Sequence, residues 1–341
     1  MIFTFIDNIL NKITMYRITC TAYFIWLGGF LLSLFSLLPY SPLSLIISLT
    51  ILFVTCLVVN ELCALMYGAP SNRDSVYITA FILSLIVSPA TSVSGVIFLL
   101  LVSVLAIASK YVIAINKKHL FNPTAFAVVV TALLLHQYAS WWIGTLYMMP
   151  FVLIGGFLIM RKIQREDLVV TFLATSLLLT VSYALFKNQD VIFFAKQLVI
   201  DSPWLFLAFV MLTEPMTTPP KRNLRICYGA LVGILFAPFV HVGIFYLTPE
   251  LALVLGNIFS YMVSPKQKLV LSLKEKIEVA KNTYNFIFLP EKKLQFEPGQ
   301  YMEWTLGHKK QDARGVRRYF TIASSPTEKE VTVGVKFIRN Q

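Results

Sequence analysis

Long apolar runs separated by short polar breaks dominate the chain as far as Pro265. Crossing a hydrocarbon core takes about twenty apolar residues, fewer where a helix is broken or shielded by neighbours. On that measure about ten segments are expected. They run over Thr21–Leu38, Leu43–Met66, Val76–Pro89, Val93–Ile113, Phe121–Leu135, Trp141–Met160, Leu168–Phe186, Val191–Leu212, Ile226–Tyr246 and Leu251–Val263. Ahead of them, residues 1–18 place Ile2, Phe3, Ile6, Ile9, Leu10 and Ile13 at helical spacing, with Asp7, Asn8, Asn11 and Lys12 opposite. That pattern predicts an amphipathic helix lying in the membrane interface. After Pro265 the period changes to two, in KLVLSLKEKIEV, TYNFIFLP and VTVGVKFI, which predicts half-buried strands. The expected organisation is therefore an interfacial helix over 1–18, a multi-pass helical membrane domain over 19–265, and part of an all-β barrel over 266–341.

Composition agrees: the chain of 341 residues is 57% hydrophobic and only 13% charged, with a mean hydropathy of +0.72. Lipid is its main solvent on these figures. The formal net charge of +12 would suggest nucleic-acid binding in a soluble protein. Here the cations sit in alternate breaks: Arg73; Lys110, Lys117 and Lys118; Arg161, Lys162 and Arg165; Lys221, Arg222 and Arg225. The remaining breaks carry almost nothing basic except Lys187. The positive-inside rule then predicts an inner (cell) membrane protein with both termini cytoplasmic, the bilayer as its environment and no nucleic-acid partner. Cys20, Cys56, Cys63 and Cys227 lie in or beside apolar stretches without metal-ligand spacing and read as small buried hydrophobes.

The third segment ends in Ser88-Pro89-Ala90-Thr91-Ser92 and the eighth in Glu214-Pro215-Met216-Thr217-Thr218, on opposite sides of the membrane by the expected topology. Five helices followed by five inverted ones would produce that relation. Chance similarity of two Pro-Thr turns is the alternative.

The most specific chemical signal is Arg318-Tyr319-Phe320-Thr321-Ile322-Ala323-Ser324-Ser325-Pro326, preceded by Pro298-Gly299-Gln300-Tyr301. A guanidinium can clamp a diphosphate bidentately, an aromatic ring can stack on an isoalloxazine, and a hydroxyl can bond its reactive edge. The stretch resembles the FAD-binding half of the ferredoxin reductase family. The resemblance implies that Arg318 contacts phosphate, Phe320 packs on the ring and Thr321 reaches N5, with Ser324 and Tyr301 also in the FAD site. NAD(P)H would be the reductant, through a region beyond Gln341.

In the membrane part, Phe121-Asn122-Pro123-Thr124-Ala125 and Thr213-Glu214-Pro215-Met216-Thr217-Thr218-Pro219 resemble the Asn-Pro turn and the Thr-Asp-Pro-Val-Thr-Ser-Pro stretch of RnfD and NqrB subunits. Over Leu43 to Pro265 this implies a membrane subunit of an electron-transport complex that passes electrons between flavins and moves an ion. An Asn-Pro or Glu-Pro at a helix start exposes amides able to hold a flavin phosphate, which makes Asn122, Thr124, Glu214 and Thr217 candidates for a membrane flavin. Helix capping alone explains the same residues. The family's covalent FMN attachment is to Thr in Ser-Gly-Ala-Thr, but no Thr occurs between Thr180 and Thr213. Membrane FMN would therefore be noncovalent, or the domain has kept the fold and changed its cargo.

The reading that follows is a membrane-bound FAD-dependent NAD(P)H oxidoreductase that passes electrons to a quinone or second flavin, with coupled ion transport and further subunits as options. A transporter or channel with a regulatory flavin domain is the alternative. A haem reductase is disfavoured, since only His136 and His241 lie in or at spans. Glu61 with Asn60, and Lys196 with Asp201, are candidates for an ion path.

Overall fold

The computed structural model describes residues 19–69, 71, 73–115, 118–237, 239–242, 245–264, 269–305 and 317–337. The interfacial helix expected over 1–18 lies outside them, as does the expected boundary near Pro265. The chain divides into two compact units, Met1–Lys266 and Gln267–Gln341.

The first unit is helical, and short polar side chains set where its helices start. Helix α1 spans Thr19–Leu34 and α2 spans Pro42–Met66. Ser41 caps α2 by accepting from the Ser44 amide, with Pro42 preset for the first turn. Helix α3 covers Arg73–Ile86, and α4 covers Val93–Val112 behind its Ser92 cap. A small hairpin, β1 (Ala114–Ile115) and β2 (Lys118–His119), then leads to α5, Pro123–Leu135, capped by Asn122.

The same order of elements then recurs. Helix α6 is Met149–Ile163, α7 is Glu166–Phe186, α8 is Val191–Ile200, and α9 (Trp204–Phe206) runs into a π-turn over Leu207–Met211. Helix α10, Arg222–Phe236, is followed by the hairpin β3 (His241–Val242) and β4 (Phe245–Tyr246), then by α11, Pro249–Val263. Asn122-Pro123 at the start of α5 thus has its counterpart in Thr248-Pro249 at the start of α11. Contacts repeat as well: α2 packs on α4 as α7 packs on α10, and α4 on α5 as α10 on α11. Helix α5 in turn packs on α11.

Three helices, Pro42–Met66, Val93–Val112 and Glu166–Phe186, are long and apolar enough to cross a bilayer singly. Val191–Ile200 and Trp204–Met211 make a fourth if counted as one broken span bent by 57°. The expectation of about ten full spans counted each apolar run as one helix, whereas several runs are partly spent on turns. The sixth begins at Met149 rather than Trp141, the eighth breaks at Asp201-Ser202-Pro203, and the ninth stops at Phe236. His241, expected inside that ninth span, stands in the hairpin.

The buried core holds Ile25, Leu45, Leu52, Phe172, Phe206 and Tyr228, all almost fully enclosed. Large apolar side chains such as Leu65, Met66 and Phe186 are more than three-quarters exposed. Apolar surface of that kind is the expected exterior of a unit solvated by lipid. Close helix approach is set by glycines. A Cβ at Gly229 would stand 2.8 Å from the Leu168 carbonyl oxygen, and one at Gly233 would stand 3.0 Å from Thr175 Cβ. Helices α7 and α10 therefore run side by side in the same direction along a Gly-x-x-x-Gly seam. Cysteine burial departs from expectation: Cys56 is buried, but Cys63 is intermediate and Cys227 is exposed on α10.

The second unit carries β5 (Leu271–Ala280), β6 (Thr283–Pro290), β7 (Tyr301–Thr305), β8 (Arg317–Thr321) and β9 (Val331–Lys336). They form a three-stranded sheet in the order β5-β6-β9 and a two-stranded β7-β8 ladder, all antiparallel. A closed barrel is not formed among the described residues. Trp304 joins the two sheets, its ring 4.7 Å from Phe288 and 6.4 Å from Phe320.

Candidate functional site

Asn122 links three elements of the membrane unit. Its side-chain oxygen accepts from the Ala125 amide and the Thr124 hydroxyl, which closes the first turn of α5. Its side-chain nitrogen donates to Glu214 Oε2 at 2.9 Å, and its main-chain N–H donates to Asn257 Oδ1 of α11 at 2.8 Å. Asn257 in turn donates to the Tyr228 hydroxyl of α10 at 2.9 Å. His119 Nε2 lies 3.1 Å from Glu214 Oε1, and the Thr217 hydroxyl reaches Glu214 Oε2 at 3.4 Å.

The result is one connected set from His119 through Glu214, Asn122 and Asn257 to Tyr228. Asn122, Thr124, Thr217, Asn257 and Tyr228 are all essentially enclosed. A buried polar group without a partner costs about 1–3 kcal/mol, so mutual satisfaction is what makes such a set tolerable in an apolar unit. Glu214 stands in the turn that follows the π-turn, where the Leu212 amide reaches back to the Leu207 carbonyl. An interruption of that kind recurs at functional sites because it re-aims the side chains that follow it.

The four candidates Asn122, Thr124, Glu214 and Thr217 are thus brought together. Sequence reasoning missed Asn257 and Tyr228, whose only signal was a polar residue inside an apolar run. It also placed Lys110 among the loop cations. The Lys110 ammonium instead turns inward and donates to the Ser75 carbonyl, the Ser75 hydroxyl and, at 2.7 Å, the Thr79 hydroxyl.

A flavin phosphate does not fit this arrangement. The Ala125 amide bonds the Asn122 side-chain oxygen and the Phe126 amide its main-chain carbonyl, and the Glu214 carboxylate stands against the Asn122 side-chain nitrogen, so an added anion would meet a like charge. Like charge at such a distance is repulsive.

A buried carboxylate, Glu250, lies in the first turn of α11 and accepts from the Trp141 indole at 3.0 Å. Glu61 is half exposed and pairs with Arg73 at 3.1 Å, while Asn60 is buried between Tyr111 and Ser71. Lys196 and Asp201 are exposed, so neither joins the enclosed network.

In the second unit the register sorts the motif onto two faces. Trp304 pairs with Arg318 and Met302 with Phe320, so these four share a face. The contacts of Trp304 with Phe288 and Phe320 turn that face toward the other sheet. Tyr301 pairs with Thr321 and lies 5.9 Å from Tyr319, on the exposed face. Of the five candidates, Arg318 and Phe320 therefore point one way and Tyr301 and Thr321 the other. Ser324 is buried in the following turn, where its hydroxyl accepts from the Thr332 amide at 3.1 Å. The open face also carries Tyr319, two positions before Thr321, which sequence reasoning passed over. Two exposed rings and a hydroxyl thus share one face of the β7–β8 ladder, a surface with the groups needed to stack on and bond to a planar heterocycle.

The apolar exterior, the broken helix and the enclosed polar set define the first unit as a multi-pass helical membrane domain. Over residues 133–268 the chain matches the model of the NQR2, RnfD, RnfE family, and the membrane unit is similar to those proteins over that stretch. The matched segment holds Glu214, Thr217, Tyr228, Glu250 and Asn257, whereas His119, Asn122 and Thr124 lie before it. No curated protein matches the chain.

Proposed function

We propose that this chain is a membrane subunit of an electron-transport complex and acts as a flavoprotein oxidoreductase. NAD(P)H would deliver reducing equivalents to FAD at the second unit, and electrons would pass to a membrane acceptor, a quinone or a second flavin. The observation that carries this reading is the exposed face of Tyr301, Tyr319 and Thr321 on the same chain as a membrane unit similar to NQR2 and RnfD over residues 133–268. The chemistry supplied by bound FAD is acceptance of a hydride and release of electrons one at a time. The chain's own residues bind and orient: Tyr319 and Tyr301 offer ring faces and Thr321 a hydroxyl at the reactive edge, while Arg318, on the opposite face of the ladder, stands outside this surface. In the membrane unit, Glu214 between His119 and Asn122 is a group able to couple a cation or proton to electron flow.

The repeated order of five helices and a hairpin supports an inverted repeat. Helices α2 and α4 begin at uncharged Ser41 and Ser92, whereas α7 and α10, their counterparts, begin among Arg161, Arg165, Lys221 and Arg222. Inverting the second set brings these cations to the side of Arg73 and Lys110 and supports an inner-membrane protein with both termini cytoplasmic.

The test is an absorption spectrum with flavin extraction on the detergent-purified chain and on Tyr301→Ala and Tyr319→Ala. Flavin bands lowered by both substitutions and bleached by NADH or NADPH would support the proposal. A well-folded preparation without flavin would overturn it. The second reading, a transporter with a regulatory domain, would then lead, since the broken α8–α9 span and a network unsuited to phosphate favour it.

A further inference from the structure

Helix α7 is long enough to cross a bilayer, so its 21 residues carry the chain from one surface to the other. After the turn Lys187-Asn188-Gln189-Asp190, helix α8 runs back beside it. The Phe194 ring of α8 meets the Tyr183 ring, one turn from the end of α7, at 6.3 Å. The Trp204 indole, at the start of α9, donates to Ser176, in the middle of α7, at 2.7 Å. Asp201 stands between those two contacts and nearer the second, so it lies within the depth of the hydrocarbon core.

Phe194 and the buried Leu198 form the side of α8 that packs on α7. The opposite arc carries Ile192, Phe193, Lys196, Gln197 and Asp201, all exposed. Phe193, Gln197 and Asp201 follow one another at four-residue spacing and make one stripe. The Asp201 carboxylate has no hydrogen bond or ion pair among the described residues. Its position is fixed by the bend, where a Cβ at Gly144 would stand 2.7 Å from the Ser202 carbonyl oxygen. A carboxylate open to lipid is costly, and Asp201, unlike Lys196, has no long stem with which to reach the surface. The arc does not open onto a polar cavity, since Ile192 and Phe193 on it are 66% and 58% exposed, as befits a side facing apolar neighbours.

We propose that this stripe is the docking surface for a transmembrane helix of another subunit, one that presents a basic side chain at the depth of Asp201. Charge decides the occupant. Acyl chains offer nothing to a carboxylate or to the Gln197 amide, and a second copy related by a two-fold axis along the membrane normal would bring like charges to one depth. A helix with Lys or Arg at that level pairs with Asp201, and a polar residue one turn away meets Gln197. The inference rests on the reading of this chain as one subunit of a complex, and it is independent of the flavin chemistry.

The experiment keeps the full chain in the membranes of the cell that makes it, with a photoreactive benzoylphenylalanine in place of Phe193 or of Gln197. The comparison is the same group in place of Val58, an exposed position on α2. Illumination should join positions 193 and 197 to a membrane-spanning segment of another chain that carries Lys or Arg, and position 58 to lipid, as read by mass spectrometry of the adducts. Asp201→Asn should lower recovery of that chain with this one about tenfold and leave the detergent Tm unchanged. Asp201→Lys should do the same, and changing the partner's basic residue to Glu should restore recovery. Lipid adducts alone, no adduct, an adduct to a copy of this chain or to a helix without a basic residue, or full recovery with Asp201→Asn would overturn the proposal. If other subunits are still recovered with the wild type in that event, the subunit reading stands and only this surface is lost.

Discussion

Asn122 and Glu214 stand 92 positions apart in the chain, yet the side-chain amide of one donates to the carboxylate of the other at 2.9 Å. The bond ties the start of α5 to the turn after the broken helix. Because the Asn122 main chain also reaches Asn257, a single residue holds three helices in register. Its neighbours' polar groups depend on it for partners.

Replacing Asn122 with Ala removes the α5 cap and one of the bonds to Glu214, which keeps His119 and Thr217. The expected loss is about 1–2 kcal/mol from the cap, with a further contribution from the lost bonds to Glu214 and Asn257. A fall in Tm of the detergent-solubilised chain is the readout. An Asn122→Ala protein that melts with wild type would show that the network contributes nothing to stability.

Glu250 is 1% exposed and holds the Trp141 indole. Glu250→Ala takes the acceptor from that part-buried N–H and should cost about 1 kcal/mol or more. Glu250→Gln keeps an acceptor and should retain most of the stability. Equal melting of the two variants would refute the role given to this bond.

Gly229→Val places a side chain 2.8 Å or less from the Leu168 carbonyl oxygen, a backbone atom with little room to yield. Overpacking of this kind costs about 1–3 kcal/mol or more. Thermal unfolding should show it, whereas Gly68→Ala, at a turn with nothing within 4 Å but a φ of +56°, should cost only the strain of a left-handed backbone.

In the second unit, Lys274 donates to Glu330, and that bond, with the glutamate's charge, raises the Lys274 ammonium above the ordinary lysine value. A raised pKa contributes stability in full below the unfolded value and loses it as pH climbs through the folded one. The pair should therefore act unchanged from neutral to mildly alkaline pH and fade in strongly alkaline solution. Lys274→Met should abolish that alkaline component and change little at pH 7, because the pair is exposed. Unfolding curves of both proteins across pH decide the point.

The division into helices and strands was legible in the sequence because it rests on periodicity. The switch at Pro265 from apolar runs to alternation is a local property of the chain, and so is the Asn122 cap, whereas the Ser41 and Thr248 caps were not singled out. Asn122, Thr124, Glu214 and Thr217 could be singled out because polar residues beside proline stand apart in an apolar background. Their partners could not be found so. Asn257 and Tyr228 look like ordinary interruptions of apolar helices until α10 and α11 pack. The motif of the second unit was legible as a string, but the split of Arg318 and Phe320 from Tyr301 and Thr321 follows from the β7–β8 pairing.

By itself the sequence determined that a long apolar domain precedes an alternating one, that its cations fall in alternate breaks, and which short polar residues start the helices. Each of these is set by residues close together in the chain. Tertiary structure alone decided that Lys110 faces inward, that the eighth run breaks and bends by 57°, and that Asn122 meets Glu214 and Asn257. Such relations are satisfied only when distant helices bury one another's polar groups, and the apolar surroundings that make an unmet hydrogen bond costly do not exist until the helices have packed.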